Sequence, residues 1–170
     1  MNITKTWALA IVFYASPVQS LAQAVDPEPV AIVELGAAAA WNVPSGSWSG
    51  GPDFAVEVTP LENWLELEAG ITPLFSRHAS EWDTDLLFKK PWTLSKKLEF
   101  MAGVGPEWIL TRAKGRTRNS LGGEVALDLM YWPTAKHRWG WFVEPGYEYN
   151  FGRGHEKALG VSGGLLIGIR

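Results

Sequence analysis

The residues best suited to chemistry are carboxylates that recur at alternate positions. Glu34, Glu57, Glu66, Glu68, Asp83, Asp85, Glu99, Glu107, Glu124, Asp128, Glu144 and Glu148 make up most of the 18 Asp+Glu residues of this 170-residue chain. In an extended chain, residues two apart share a face, so these acids would gather on one side of a sheet. Only Lys89, Lys97 and Arg170 share their parity. Buried carboxylates normally need cationic or hydrogen-bonding partners. An acid surplus of this kind would attract or hold cations. It would be inert where the acids are protonated, lie near an edge, or bond to water and tyrosine hydroxyls.

Two shorter stretches also carry chemistry. Arg112, Lys114, Arg116 and Arg118 form a run of alternating cations, suited to phosphate groups or simply to solvent. Arg77-His78-Ala79-Ser80-Glu81 places an imidazole near a hydroxyl, the minimum for an activated nucleophile. The chain has no cysteine, which excludes disulfides, thiolate metal sites and cysteine nucleophiles. His78, His137 and His155 fall in separate connecting segments, so no histidine metal site is expected. No phosphate-binding or dinucleotide fingerprint occurs, and no cofactor is expected.

The elements that carry these residues read as strands. Proline recurs too often for long helices, and apolar residues alternate with polar or small ones. The alternation covers about 29–41, 53–60, 64–74, 81–90, 97–109, 121–132, 138–150 and 157–169. In the third segment, for example, Leu65, Leu67, Ala69 and Ile71 oppose Glu66, Glu68, Gly70 and Thr72. Segments of roughly ten residues with this pattern predict an antiparallel, up-and-down, eight-stranded transmembrane β-barrel. A soluble calycin-type barrel would have the same period with its apolar face inward. Bulky residues fill one face, and Gly, Ala and carboxylates fill the other, which favours the membrane reading. With the termini on the periplasmic side, outer connections are expected at about 42–52, 75–80, 110–120 and 151–156. The basic run lies in the third.

Composition agrees. The chain is 46% hydrophobic and only 19% charged, unlike a disordered tail. Its formal charge of -3 gives no reason to expect nucleic acid. Trp41, Phe75, Trp92, Trp108, Trp132 and Phe151 fall near strand ends, and Phe54, Trp64, Trp82 and Trp139 near strand starts. Indole combines an apolar ring with a polar N–H and settles at the headgroup boundary, so two aromatic girdles are expected.

The first residues read as an address. Lys5 precedes the apolar run Trp7–Ala15, Pro17 interrupts it, and Ala22-Gln23-Ala24 has the spacing of a cleavage site. Residues 1–24 are therefore expected to be a secretory signal peptide, and 25–170 the barrel domain. The apolar run is shorter than the ~20 residues of a spanning helix.

With its export signal, alternating segments and tryptophan girdles, the chain resembles the small eight-stranded outer-membrane β-barrels of Gram-negative bacteria. The resemblance implies outer-membrane lipid, lipopolysaccharide and the barrel assembly machinery as partners. It implies a non-enzymatic structural or surface-interacting role. Such barrels typically end on an aromatic residue, and Arg170 departs from that pattern. The His78–Ser80 stretch is similar to part of the outer-membrane lipid A deacylases; the resemblance would make Ser80 the nucleophile, His78 the base and Glu81 or Asp83 the orienting acid, which leaves an ester hydrolase as an alternative. A narrow cation-permeable pore is a second alternative.

Overall fold

The computed structural model describes residues 29–170 apart from Arg153, and the expected signal peptide over 1–24 lies outside them. The described chain forms β1 (Ala31–Asn42), β2 (Ser47–Leu61), β3 (Leu65–Phe75), β4 (Ala79–Ser95), β5 (Leu98–Ala113), β6 (Arg116–Tyr131), β7 (Trp139–Asn150) and β8 (Lys157–Ile169). Each strand pairs with the next, and β1 closes the barrel on β8 antiparallel. Closure leaves no sheet edge, so backbone N–H and C=O groups are paired between strands, the condition for a β-structure in hydrocarbon.

Side chains sort as the alternation requires. On the outside, Val56, Phe88, Val104, Leu127, Val161 and Leu165 are between 45% and 59% exposed. Leu67 lies on the same face, paired with Phe88 and Val58. Aromatic residues border this apolar surface. Trp41 stacks on Trp48 toward the rim far from the termini, with Trp82 and Trp108 nearby in level. Toward the rim carrying the termini, Trp92 stacks on Phe100 and Tyr131 on Trp141.

The interior changes character along its axis. At the terminal end, Ile32, Met101, Met130, Trp132, Phe142 and Leu166 form an apolar plug. Trp132 is 1% exposed, so it belongs to the plug and not to the girdle expected from its place near a strand end. The reason is parity: Trp132 continues the inward series of Asp128 and Met130. Above the plug the lining becomes polar.

Several boundaries differ from the alternation. The stretch at 110–120 is no long loop. The ladder continues to Ala113 and resumes at Arg116, with Lys114 at φ 51° and Gly115 at φ 73° making the turn. Two consecutive residues with positive φ match the twist of a tight hairpin, and glycine adopts that conformation freely. Beyond the apolar belt both faces of a strand are polar, so alternation carries no signal there. Likewise β2 begins at Ser47, through Ser-Gly-Gly-Pro residues that read as a loop but pair with β1. The connection at 132–138, on the terminal rim, is longer than 151–156 on the far rim. Length asymmetry between the two ends is therefore not seen in the connections.

Candidate functional site

β4 supplies the centre of the lumen. Lys89 is 1% exposed and forms ion pairs with Glu68 from β3 and Glu144 from β7, and at 3.4 Å with Asp128 from β6. Glu34, Glu57, Glu68 and Asp128 bring their carboxylate oxygens within 4.8 Å of one another around the same level. Of the cations that share the acids' parity, Lys89 meets part of the acid surplus: one buried ammonium serves three carboxylates. Its chain takes the space left by Gly103, where a Cβ would lie 2.7 Å from Lys89 Cγ. Lys97 and Arg170 do not enter the lumen. Both are exposed at the terminal rim, where Arg170 donates to the Lys136 carbonyl.

The remaining acids of the inward parity divide by level. Glu66 is buried near the plug, and Glu99 is half-buried at the terminal rim. Asp83 and Glu107 are buried in the far half, with Asp85, Glu124 and Glu148 half-buried beside them. These five line a cavity of about 50 Å³ with Glu68 and Glu144, enough for a water or two. Two inward acids outside the expected lumen set lie in the same half, Asp53 lining that cavity and Glu81 a smaller one at the far rim. Thr72 donates to Asp53 at 2.7 Å, and Thr111 donates to Glu81 at 2.9 Å. Parity carries the signal for both: Asp53 alternates with Phe54 and Val56, and Glu81 with Trp82.

The His78–Ser80 stretch is placed differently from a hydrolytic site. Ser80 shares the outward parity of Trp82, whereas Glu81 and Asp83 project into the lumen on the other face of β4. His78 is exposed in the preceding turn. Glu81 and Asp83 are therefore separated by the sheet from the hydroxyl they would serve. His137 stacks on Trp132 at the terminal rim, and His155 bonds Tyr149 at 3.1 Å on the far rim.

The basic residues stand on the β5–β6 hairpin at the far rim, all exposed. Arg112 is paired with Thr117 on the outer face, and Lys114 is in the turn. Arg116 and Arg118 pair with Ala113 and Thr111, on the face continuous with the lumen. Arg112 thus lies on the outer face, Lys114 in the turn, and Arg116 and Arg118 over the mouth.

Comparison by sequence matches no family model and no curated protein. Comparison by structure does find matches. Neisserial surface protein A is similar over 84% of this chain and 99% of its own, with a TM-score of 0.71 and 12% identity. The N-terminal β-barrel domain of Pseudomonas aeruginosa OprF is similar over 83% of this chain and 100% of its own, with a TM-score of 0.56 and 12% identity. The attachment invasion locus protein Ail of Yersinia pestis matches over 83% of this chain and 100% of its own, at TM-score 0.55 and 9% identity. Ail has also been solved with the heparin analogue sucrose octasulfate. The fold is that of a small outer-membrane β-barrel. In a barrel of eight strands the interior is just wide enough for side chains to fill, which the plug and the Lys89 cluster do here at successive levels.

Proposed function

We propose that this chain is a non-enzymatic barrel of the Gram-negative outer membrane, exported by a cleaved signal peptide over 1–24 and inserted by the barrel assembly machinery. Its far rim faces outward, and the β5–β6 hairpin contacts the phosphates of lipopolysaccharide. The observation that carries the reading is the apolar outer surface of a closed barrel, bordered by aromatic residues at both ends. A monomer in water rarely exposes so large an apolar surface, and hydrocarbon is the solvent it suits.

Arg112 on the outer face and Lys114 in the turn are rim cations that headgroup phosphates would meet in this orientation. Arg116 and Arg118 extend the positive field over the mouth. The polyanion bound by Ail gives a precedent for anion recognition on a barrel of this fold. The separation of Ser80 from Glu81 and Asp83 favours a binding role over a hydrolase. The plug of Trp132, Phe142 and their neighbours favours a closed lumen over a pore.

The test is titration of the detergent-solubilised barrel with lipopolysaccharide. Arg112→Gln with Lys114→Gln should weaken binding by about tenfold or more, at about 1 kcal/mol or slightly less per phosphate contact. Raising salt should weaken the wild type toward the variant. Equal affinity of wild type and variant at low salt would remove the hairpin from the reading.

A further inference from the structure

Lys89 serves the acids of the middle level, but none of the far half. There Asp83 on β4, Glu107 on β5 and Glu148 on β7 each bring a carboxylate oxygen within 4.8 Å of the others. No Lys, Arg or His is paired to any of the three among the described residues; the ion pairs of the lumen all belong to Lys89. Asp83 is 5% and Glu107 2% exposed, and Asp83 Oδ1 and Glu107 Oε2 are buried without a hydrogen-bond partner. Buried carboxylate oxygens with neither donor nor counter-charge are costly, and here two of them converge with the half-buried Glu148.

The barrel fixes this convergence. All three side chains project inward from strands whose register is set by long ladders. Glu107 lies over Gly122, where a Cβ would come within 2.9 Å of Oε2. Oxygens bound to one Ca²⁺ at about 2.3–2.6 Å lie no more than about 5 Å apart, and the trio meets that limit as it stands. The donors are all hard oxygens, with neither imidazole nor thiolate, which suits a hard ion such as Ca²⁺ over Zn²⁺ or copper. The adjoining cavity of about 50 Å³ can take the waters that complete a Ca²⁺ shell. A second cavity of about 20 Å³ at the far rim, lined by Asn42, Asn150, Glu156 and Lys157, shares Glu148 with it.

We propose that Asp83, Glu107 and Glu148 hold one Ca²⁺ ion in the far half of the lumen. The ion ties β4, β5 and β7 together above the level at which Lys89 ties β3, β4, β6 and β7. The acid-rich lining thereby becomes two layers, one organised by an ammonium and one by a divalent cation.

The experiment is calorimetric titration of the folded barrel with CaCl₂ in lipopolysaccharide-free detergent micelles, alongside thermal unfolding in CaCl₂ and in EDTA. The wild type should bind one Ca²⁺ per chain and unfold at higher temperature in CaCl₂ than in EDTA. Glu107→Gln and Asp83→Asn preserve side-chain shape and should each weaken binding by about tenfold or more, because each removes a ligand charge. In EDTA these variants should be at least as stable as the wild type, since each removes one of several like charges. Glu34→Gln, in the Lys89 layer, should leave Ca²⁺ binding unchanged. If one variant does not give the gel-shifted folded band, the other and Glu148→Gln decide. Absence of Ca²⁺ binding by the folded wild type overturns the proposal. So does binding by the variants within about twofold of wild type, or equal loss in Glu34→Gln.

Discussion

Lys89 and Glu144 meet across the barrel axis, joining β4 to β7, two strands that share no ladder. Backbone pairing holds each strand only to its two neighbours, so this contact is a tie that the sheet itself does not supply. Glu68 and Asp128 converge on the same ammonium. Removing the cation would leave three carboxylates facing one another in a water-poor space. Lys89→Met is therefore expected to destabilise the barrel by roughly 3–5 kcal/mol, the range for breaking a buried ion pair from one side. Urea unfolding in lipid vesicles, followed by tryptophan fluorescence, measures it. Glu144→Gln should cost less, because Glu68 and Asp128 remain on the ammonium. Equal and small losses in both variants would mean that Lys89 is not the organising charge.

Closure depends on a close approach between two backbones. Gly36 on β1 is paired with Gly164 on β8, and a Cβ at 164 would lie 2.2 Å from the Leu35 carbonyl oxygen and 2.4 Å from Gly36 Cα. Both contacts are with backbone, which no rotamer change relieves. Glycine within a strand often marks such an approach or a sharp bend. Gly164→Val should prevent the last strand from docking on the first. The folded barrel would be lost, seen as absence of the band whose gel mobility changes on boiling. Gly46→Ala makes the control for handling and expression: its site is open, and the strain of its positive φ is confined to an exposed turn. A normal folded band from Gly164→Val would show that the seam tolerates a side chain.

Much of this molecule was legible as parity. Alternation alone separates Glu66 and Glu68 from Leu65 and Leu67, and the barrel places them on opposite faces. The same rule, applied strictly, would have moved Trp132 from the girdle to the plug. Three things were not legible. Where strands leave the apolar belt, as at Arg112 and Arg116, both faces are polar and the period disappears. The convergence of Asp83, Glu107 and Glu148 depends on which strands face one another across the axis, which a one-dimensional pattern does not contain. The service of three acids by Lys89 depends on how far its four-carbon stem reaches, beyond what counting charges of one parity can reveal.

The plug gives the last prediction, on permeation. Trp132 is stacked against His137 at a centroid distance of 5.0 Å and packs with Ile32, Met101, Met130, Phe142 and Leu166. Truncating a buried tryptophan loses its burial and leaves a cavity, so Trp132→Ala should cost about 3–5 kcal/mol of stability. It should not open a conducting path. Met101, Met130 and Leu166 are each 0% exposed, and Lys89 1%, so the lumen stays closed at the next level once the indole is gone. Planar-bilayer recordings of both wild type and Trp132→Ala should therefore be silent. Steady cation-selective conductance in the wild type would mean that the plug moves aside, because the acids above it would then select for cations. Conductance in the variant alone would instead make Trp132 the single barrier in a lumen otherwise passable to ions.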